Sequence, residues 1–441
     1  MFTNKQLKEL IVPLMIEQIL VMSVGMIDTV MTSYLGEVAI SGVALVDMLD
    51  YLVITILTAI ATGGAVIISQ YLGSKNKDMA NMSASQLIVV LFIISIFIML
   101  ISLLFRNEIL MTLFGNISDD VREAANTYFF ITAISFPFIG VYNAGSALFR
   151  AIQKTNTTMW ISLLINFINI CGNAIAVFVL KIGVFGIAFS TLIARLVSSV
   201  IIFILALRKD LEVNIEFKKI ISIQKNIIKK ILKIAIPSGI ENGLFALGKV
   251  MVVSIVSLFG TSQIAANGVA NSIDQLAVFV ASAINIAMIT VVGQCIGARE
   301  IEQAEYYTKK LMKISYILTS LLGVTICILL PVILKLYTLS NETYKIVCIL
   351  VISHNIMAAL LHPTSFNLSN SLRACGDVKF TMYTGIASMI IFRLGTAVLL
   401  GIYFKLGIYG VWIAMGMDWL ARSILFKIRY KSKKWQYIQT I

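Results

Sequence analysis

Charge is what this sequence has least of. Asp, Glu, Lys and Arg make up 13% of its 441 residues, against 59% hydrophobic residues and a mean hydropathy of +0.93. Soluble chains are roughly one quarter charged, so this chain cannot hide its apolar surface inside one globule and must use lipid as its solvent. A soluble enzyme, a disordered scaffold and a secreted disulfide protein are excluded. Cysteine is scarce as well: Cys171, Cys295, Cys327, Cys348 and Cys375 lie in or beside apolar stretches, without the CxxC pairs or Cys/His spacing of a metal site. They read as small packing residues. No GxxxxGK[ST] occurs, so no ATP hydrolysis is encoded and energy must come from an ion gradient or a partner. HExxH and GxSxG are also missing, and two histidines within one span do not make the His/carboxylate cluster of a membrane enzyme. The chain reads as neither an enzyme nor a cofactor carrier.

The apolar runs are long. A membrane helix needs about 20 predominantly apolar residues, and twelve such runs lie near 10–35, 40–70, 84–105, 124–149, 157–180, 183–207, 231–259, 263–293, 311–334, 346–371, 380–403 and 407–428. The first is too long for a cleaved signal peptide and reads as its own insertion signal. The net charge of +13 gathers in the short loops between runs, which is a topology signal and not a nucleic-acid footprint. With a cytoplasmic N-terminus, 25 Lys and Arg fall inside and six outside, so the positive-inside rule puts both termini and the 208–230 loop in the cytoplasm of a cell (inner or plasma) membrane protein.

The chain also repeats itself. At an offset of 224, Pro13 pairs with Pro237, Glu17 with Glu241, Gly36 with Gly260 and Asp50 with Asp274. Gln70 and Gly73 meet Gln294 and Gly297, KIGVFGIA from Lys181 meets KLGIYGVW from Lys405, and FRA at Phe149 meets LRA at Leu372 with a one-residue slip. The expected fold is an all-α integral membrane protein of twelve transmembrane helices in two pseudo-symmetric six-helix lobes. Its parts are an N-terminal lobe over 1–207, a basic cytoplasmic linker over 208–230, a C-terminal lobe over 231–428 and a basic tail over 429–441. Six spans return the chain to the same side, so the repeats are parallel, an arrangement that usually works by rocking one half against the other.

Thirteen ionisable residues fall inside these spans: Glu17, Asp28, Asp47, Asp50, Arg195, Glu241, Lys249, Asp274, His354, His362, Arg393, Asp418 and Arg422. A mid-bilayer Asp, Lys or Arg costs roughly 2.5 to 3.5 kcal/mol on insertion scales, so they must face partners or a water-filled cavity, as in a transporter. Glu17 and Asp28 are about three turns apart on one helix face. Asn166, Asn169 and Asn173 form a polar stripe on the fifth span. Amide oxygens with one carboxylate suit Na⁺, or a network that responds when the carboxylate is protonated; the same amides also suit plain helix–helix ties. Glu17, Glu241, Lys249 and His362 are candidate cavity residues, with His362 able to titrate near physiological pH. Asp418 and Arg422 at i, i+4 read as a structural ion pair. Asp47, Asp50 and Asp274 begin the second helix of each lobe as caps or interhelical contacts, and Arg195 pairs with one of the acids. Arg393 stands where the other lobe has Asn169, which points to the first lobe as holder of the coupling ion.

These residues resemble the multidrug and toxic compound extrusion (MATE) family over essentially the whole chain, in a branch common among low-GC Gram-positive bacteria. The resemblance rests on Pro13 to Asp28 followed by Leu35-Gly36, on SQYLGSKN and VGQCIGARE, on SLRACGDVKFTM, and on PSGIENGLFALGK and GVWIAMGMDWLARSILFKIRY. It implies a two-lobe antiporter exporting organic cations in exchange for Na⁺ or H⁺, with Asp28 as the carboxylate of the cation site, Asn169 and Asn173 its partners and Thr191 a sixth-span contact. Asp28, Asn169 and Asn173 are then the candidate Na⁺ ligands. This chain departs from the pattern in three places: Asn173 replaces one branch's Asp, Phe245 stands where another branch has a seventh-span Glu, one turn after Glu241, and His362 replaces that branch's tenth-span Asp. The alternatives are a flippase or exporter of a lipid-linked or anionic metabolite, favoured by a cavity dominated by Lys249 and Arg393, and a membrane-embedded enzyme or sensor. The expected partners are the bilayer and small organic cations, with no nucleic acid, and no dimerisation signal sets the chain apart from a monomer.

Overall fold

The computed structural model describes residues 2–441 apart from 116, 117, 336, 338, 439 and the side chain of 26, and no strand occurs among the described residues. Twelve helical spans follow in chain order. The first six are α1 (Asn4–Ser33), α2 (Glu37–Gly73), α3 (Lys77–Leu104), α4 (Asp119–Ile134 with Phe136–Ala151), α5 (Thr155–Val179) and α6 (Gly183–Ala206). The second six are α7 (Lys225–Phe259), α8 (Thr261–Gly297), α9 (Ile301–Leu334), α10 (Asn341–Ala374), α11 (Val378–Tyr403) and α12 (Ile408–Lys431). Short helices Arg106–Phe114 and Phe217–Ile221 lie between spans. Ten of the spans are long and apolar enough to cross a membrane outright, and α4 makes eleven if its two halves count as one. The twelfth, α12, is less apolar because Asp418 and Arg422 sit within it.

The span expected as continuous over 124–149 is bent by 45° at Ser135. Pro137 lacks the N–H that would continue the ladder, and the Ser135 hydroxyl donates to the Thr132 carbonyl at 2.6 Å. Three later spans depart from regular α geometry: five-residue π turns occupy Ile175–Val179 in α5 and Pro363–Asn367 in α10, and longer ones Met389–Gly395 and Val398–Tyr403 in α11. Wide turns of this kind gather at functional positions in helices.

The fold divides into two compact units, Phe2–Gly239 and Ile240–Thr440. In the first, α1 packs on α5, α5 on α6 and α3 on the second half of α4, around a core that includes Val46, Leu110, Phe136 and Ile187. In the second, α8 packs on α9 and α10 and α12 on α11, around Val256, Leu330, Leu350 and Trp412. Large apolar side chains such as Phe97, Ile328 and Leu360 stay exposed on the outer faces, where lipid is the solvent. The internal repeat has a backbone cause. Gly36 and Gly260 share φ values of 96° and 92°, and Gly183 and Gly407 share 64° and 58°, a region L side chains avoid. The matched motifs are therefore matched loops: Lys75 and Arg299 at 59° and 61°, and Lys181 and Lys405 at 52° and 57°, take the same left-handed turn in each half.

The segment expected as a linker over 208–230 folds onto the first unit. Asn81 on α3 donates to Asn214 Oδ1 at 3.1 Å and Glu216 Oε1 at 2.8 Å, and the Asn214 amide returns a bond to Asn81 Oδ1 at 3.1 Å. Gln86 donates to the carbonyls of Lys219 at 2.6 Å and Ser222 at 3.0 Å and accepts from the Gln224 amide at 3.2 Å. Lys219 bridges Asp78 at 2.6 Å and Glu216 at 2.9 Å. The Lys219 ammonium and the Asn81 amide hold the Glu216 carboxyl below its ordinary value. A carboxyl with a depressed folded pKa contributes stability above its unfolded value of 4.5 and loses it as pH falls through the folded one. Gln86→Ala leaves two carbonyls and one amide without their partner, at a cost of about 1 to 3 kcal/mol. The expected result is faster tryptic cleavage within 208–230 at neutral pH, read by limited proteolysis of the purified protein.

Candidate functional site

In the first lobe a polar chain links three helices. Asn173 on α5 donates to Asp28 Oδ1 on α1 at 2.7 Å and to Asn169 Oδ1 one turn earlier at 3.2 Å. Asn169 in turn donates to the Thr191 hydroxyl on α6 at 3.1 Å, and Thr191 to the Ile187 carbonyl at 3.2 Å. Asn166, the next residue of the stripe, donates to the Leu20 carbonyl of α1 at 3.0 Å. The i, i+3, i+4 spacing read from sequence is what turns all three amides toward α1 and α6. Asn169 and Asn173 are buried, Asp28 and Thr191 half-buried. The carbonyl oxygen of Asn173 is buried without a hydrogen-bond partner. A carboxylate beside amide and hydroxyl oxygens is an acceptor-rich group, and an unmet buried acceptor is costly unless a donor or cation reaches it.

Glu17 and Glu241, expected in a substrate cavity, are each locked to an arginine. Glu17 lies 2.5 Å from Arg150 Nη2 at the end of α4 and accepts from the Thr158 hydroxyl of α5 at 2.9 Å. Glu241 lies 2.6 Å from Arg373 Nη2 at the end of α10. Gly385 on α11 gives it room, since a Cβ there would come within 2.7 Å of Glu241 Oε1. Glu17 and Glu241 are 2% and 6% exposed, so each lobe closes an acid of its first helix onto the arginine of its repeated Arg-Ala step. Sequence reasoning did not connect these pairs, although the repeat that matched the acids also matched the FRA and LRA motifs, one residue out of register. Arg195 finds Asp50 at 3.3 Å and the Ser135 hydroxyl at 2.7 Å, at the bend of α4.

In the second lobe a cavity of about 500 Å³ is lined by Lys249 and His362 together with Asp274, Arg393, Trp412 and Trp419. His362 stacks on Phe366 with ring centroids 4.4 Å apart, and its Nδ1 has no partner among the described residues. His354 faces Asp274 at 2.9 Å and packs edge-on against Trp412 and Trp419. Asp418 accepts from Arg422 at 2.8 Å and from Ser388 at 2.5 Å, and Arg393 approaches it at 3.8 Å. The structure therefore brings Asp28, Asn169, Asn173 and Thr191 together in one lobe and Lys249 and His362 together in the other. No group of three or more His, Cys, Asp or Glu suited to a metal occurs among the described residues.

Comparison with known proteins agrees with this architecture. A family model described as MatE matches residues 13–175 and again 237–399, two stretches that are themselves 224 residues apart. The chain is 30% identical over 437 residues to the uncharacterized transporter YisQ of Bacillus subtilis (strain 168), covering 96% of this chain and 93% of that one. It is 25% identical to the probable multidrug resistance protein NorM of Thermotoga maritima, covering 98% and 93%. Its fold matches an outward-facing multidrug resistance MATE family transporter of the MOP superfamily with a TM-score of 0.90 at 21% identity, covering 98% of this chain and 96% of that one.

Removing one partner of a buried ion pair strands the other and costs about 3 to 5 kcal/mol, whereas removing both costs less. Glu17→Ala is expected to lower the thermal unfolding midpoint in detergent more than the double variant Glu17→Ala, Arg150→Ala, and Glu241→Ala with Arg373→Ala should behave alike. Equal midpoints for the single and double variants would refute a buried clasp.

Proposed function

The chain belongs to the MatE family and is a multi-pass membrane transporter of the multidrug efflux type, not an enzyme, and from that premise we propose that it is a secondary antiporter exporting organic cations in exchange for Na⁺ or H⁺ by alternating access. The coupling site is the polar chain of Asp28, Asn169, Asn173 and Thr191. The observation that supports this most is the pairing of Asp28 with Asn173 at 2.7 Å beside a buried Asn173 oxygen that has no donor. Na⁺ prefers carboxylate, amide and hydroxyl oxygens, and Asp28, Asn169 and Asn173 are its proposed ligands. A proton would act on Asp28 alone.

Either ion neutralises Asp28, the acid that ties α1 to Asn173 of α5, so occupancy biases one arrangement of these helices, and a bound drug cation biases the other. Binding alone is not coupling; the ion must distinguish the two arrangements in affinity. The protein acts as a monomer in the cell membrane with both termini in the cytoplasm, a topology supported by 25 basic residues against six in the alternate loops. Alkaline phosphatase, active only outside the cytoplasm, is expected to be inactive when fused after Ile441 and active when inserted after Lys405.

Ethidium efflux from proteoliposomes, with Na⁺ and pH gradients imposed separately, tests the coupling. Wild type should respond to one gradient, and Asp28→Asn should lose that response while inserting normally. Undiminished gradient-driven efflux in Asp28→Asn would sink the assignment. If Na⁺ is the ion, Asn169→Ala and Asn173→Ala should each raise the Na⁺ concentration for half-maximal efflux on the order of tenfold. If H⁺ is the ion, the same variants should leave the gradient dependence in place.

A further inference from the structure

The two lobes share a backbone repeat but not a charge pattern. At the offset of 224 the members of the first-lobe cation chain correspond to different residues: Asp28 to Val252, Asn169 to Arg393, Asn173 to Ala397 and Thr191 to Met415. Val252, Arg393 and Met415 all line the second-lobe cavity. The acid of the first lobe is thus replaced by an apolar side chain, and an arginine stands in place of an amide. Two further exchanges run the same way. Gly25 corresponds to Lys249 and Asp47 to Asn271, and both second-lobe residues line that cavity.

The cations there outnumber the acids available to them. Around the Phe245 ring stand Arg422 at 4.9 Å, Lys249 at 5.3 Å and Arg393 at 6.0 Å. Asp418 is the one carboxylate among the described residues within ion-pair distance of this trio, and it is shared between Arg422 and Arg393. Lys249 has no acidic partner among the described residues and extends into the cavity. The remaining acid of the wall, Asp274, faces His354. Like charges held this close in an apolar setting repel, and intramembrane cations of this kind mark a binding site by default. An anion that enters relieves the repulsion.

The wall also carries aromatic side chains. Trp412 is fixed by its indole N–H to Asn267 Oδ1 at 3.1 Å. Trp419 is 4% exposed and its indole N–H has no acceptor among the described residues, and His362 Nδ1, on a side chain 7% exposed, is also without a partner. Phe366 stacks beside them, 4.4 Å from His362 and 5.9 Å from Trp419. The volume of about 500 Å³ lies within the range of small-molecule pockets, roughly 300 to 1,000 Å³.

We propose that the second-lobe cavity is a binding site for aromatic carboxylates, with Lys249 and Arg393 holding the carboxylate and Trp412, Trp419 and Phe366 enclosing the ring. The site is separate in residues and in charge from the coupling chain at Asp28. Compounds that carry an aromatic acid are then held by that group in one lobe, while the ion that drives export is held by an acid of the protein in the other. Zwitterionic aromatic compounds fit both this site and the export of organic cations.

The test is calorimetric titration of the full-length protein in lipid nanodiscs, with protein-free nanodiscs as the blank. The probes are 2-naphthoate, its neutral amide 2-naphthamide and 2-naphthylmethylammonium. Wild type should bind the carboxylate at least on the order of tenfold more tightly than the amide, and the ammonium more weakly still. Lys249→Gln should lose the preference for the acid, Lys249→Arg should keep it, and a cooperative thermal transition in both variants excludes misfolding. Asp28→Asn should bind 2-naphthoate as wild type does, so failure of the coupling assignment and failure of this one are distinguishable. Equal affinity for acid and amide, undetectable binding of 2-naphthoate, or wild-type affinity in Lys249→Gln would each overturn the proposal.

Discussion

A carboxylate or guanidinium in lipid must be neutralised by something within reach, and most of the architecture follows from that demand. Glu17 closes on Arg150, Glu241 on Arg373, Asp50 on Arg195 and Asp418 on Arg422, each pair within its own lobe. Such pairs are not a large net source of stability, because desolvation cancels much of the attraction. Their effect is geometric. The three that join different helices fix which helices are neighbours and how far along their axes they meet, in a solvent where apolar side chains give no such register, while Asp418 and Arg422 pair within α12. Among the residues left outside these four pairs, Asp28 joins an amide chain in the first lobe and Lys249 lines a cavity in the second.

Much of this was legible in the sequence because the chain carries the same instruction twice. The offset of 224 marks loops where the backbone turns left-handed, and Gly36 with Gly260 and Gly183 with Gly407 keep those turns in register. The polar stripe of α5 was legible for a similar reason: three asparagines at helical spacing leave one face, and that face meets Asp28 and Thr191. The Glu–Arg clasps were written in the same repeat, but a pair 133 residues apart has no local signature. Each acid looked like a cavity residue until its partner was placed beside it.

Other features had little sequence signal to find. The π turn at Met389–Gly395 inserts one extra residue per turn into a stretch that is apolar apart from Arg393, whereas the earlier one at Pro363–Asn367 starts at a proline that breaks the α ladder. The segment over 208–230 reads as a charged loop because several of its ties are made by the Gln86 side chain of α3 to backbone carbonyls and an amide, and backbone groups leave no trace in composition. The second π turn carries Arg393, so the lobe that lost the repeat's amide also departs there from the α geometry kept around Asn169. Duplication supplied one scaffold, and divergence placed different charges on its two copies.

The Glu17–Arg150 clasp has a consequence for how the chain is made. The two residues are 133 positions apart, and a ribosome adds roughly 5 to 20 residues per second, so α1 emerges about 7 to 27 s before its arginine exists. Through that interval the acid has no protein partner, and a proton or the polar headgroup layer must stand in for one. The first span therefore gains the partner of its buried acid only after the fourth has been synthesised, and the second lobe repeats the delay between Glu241 and Arg373.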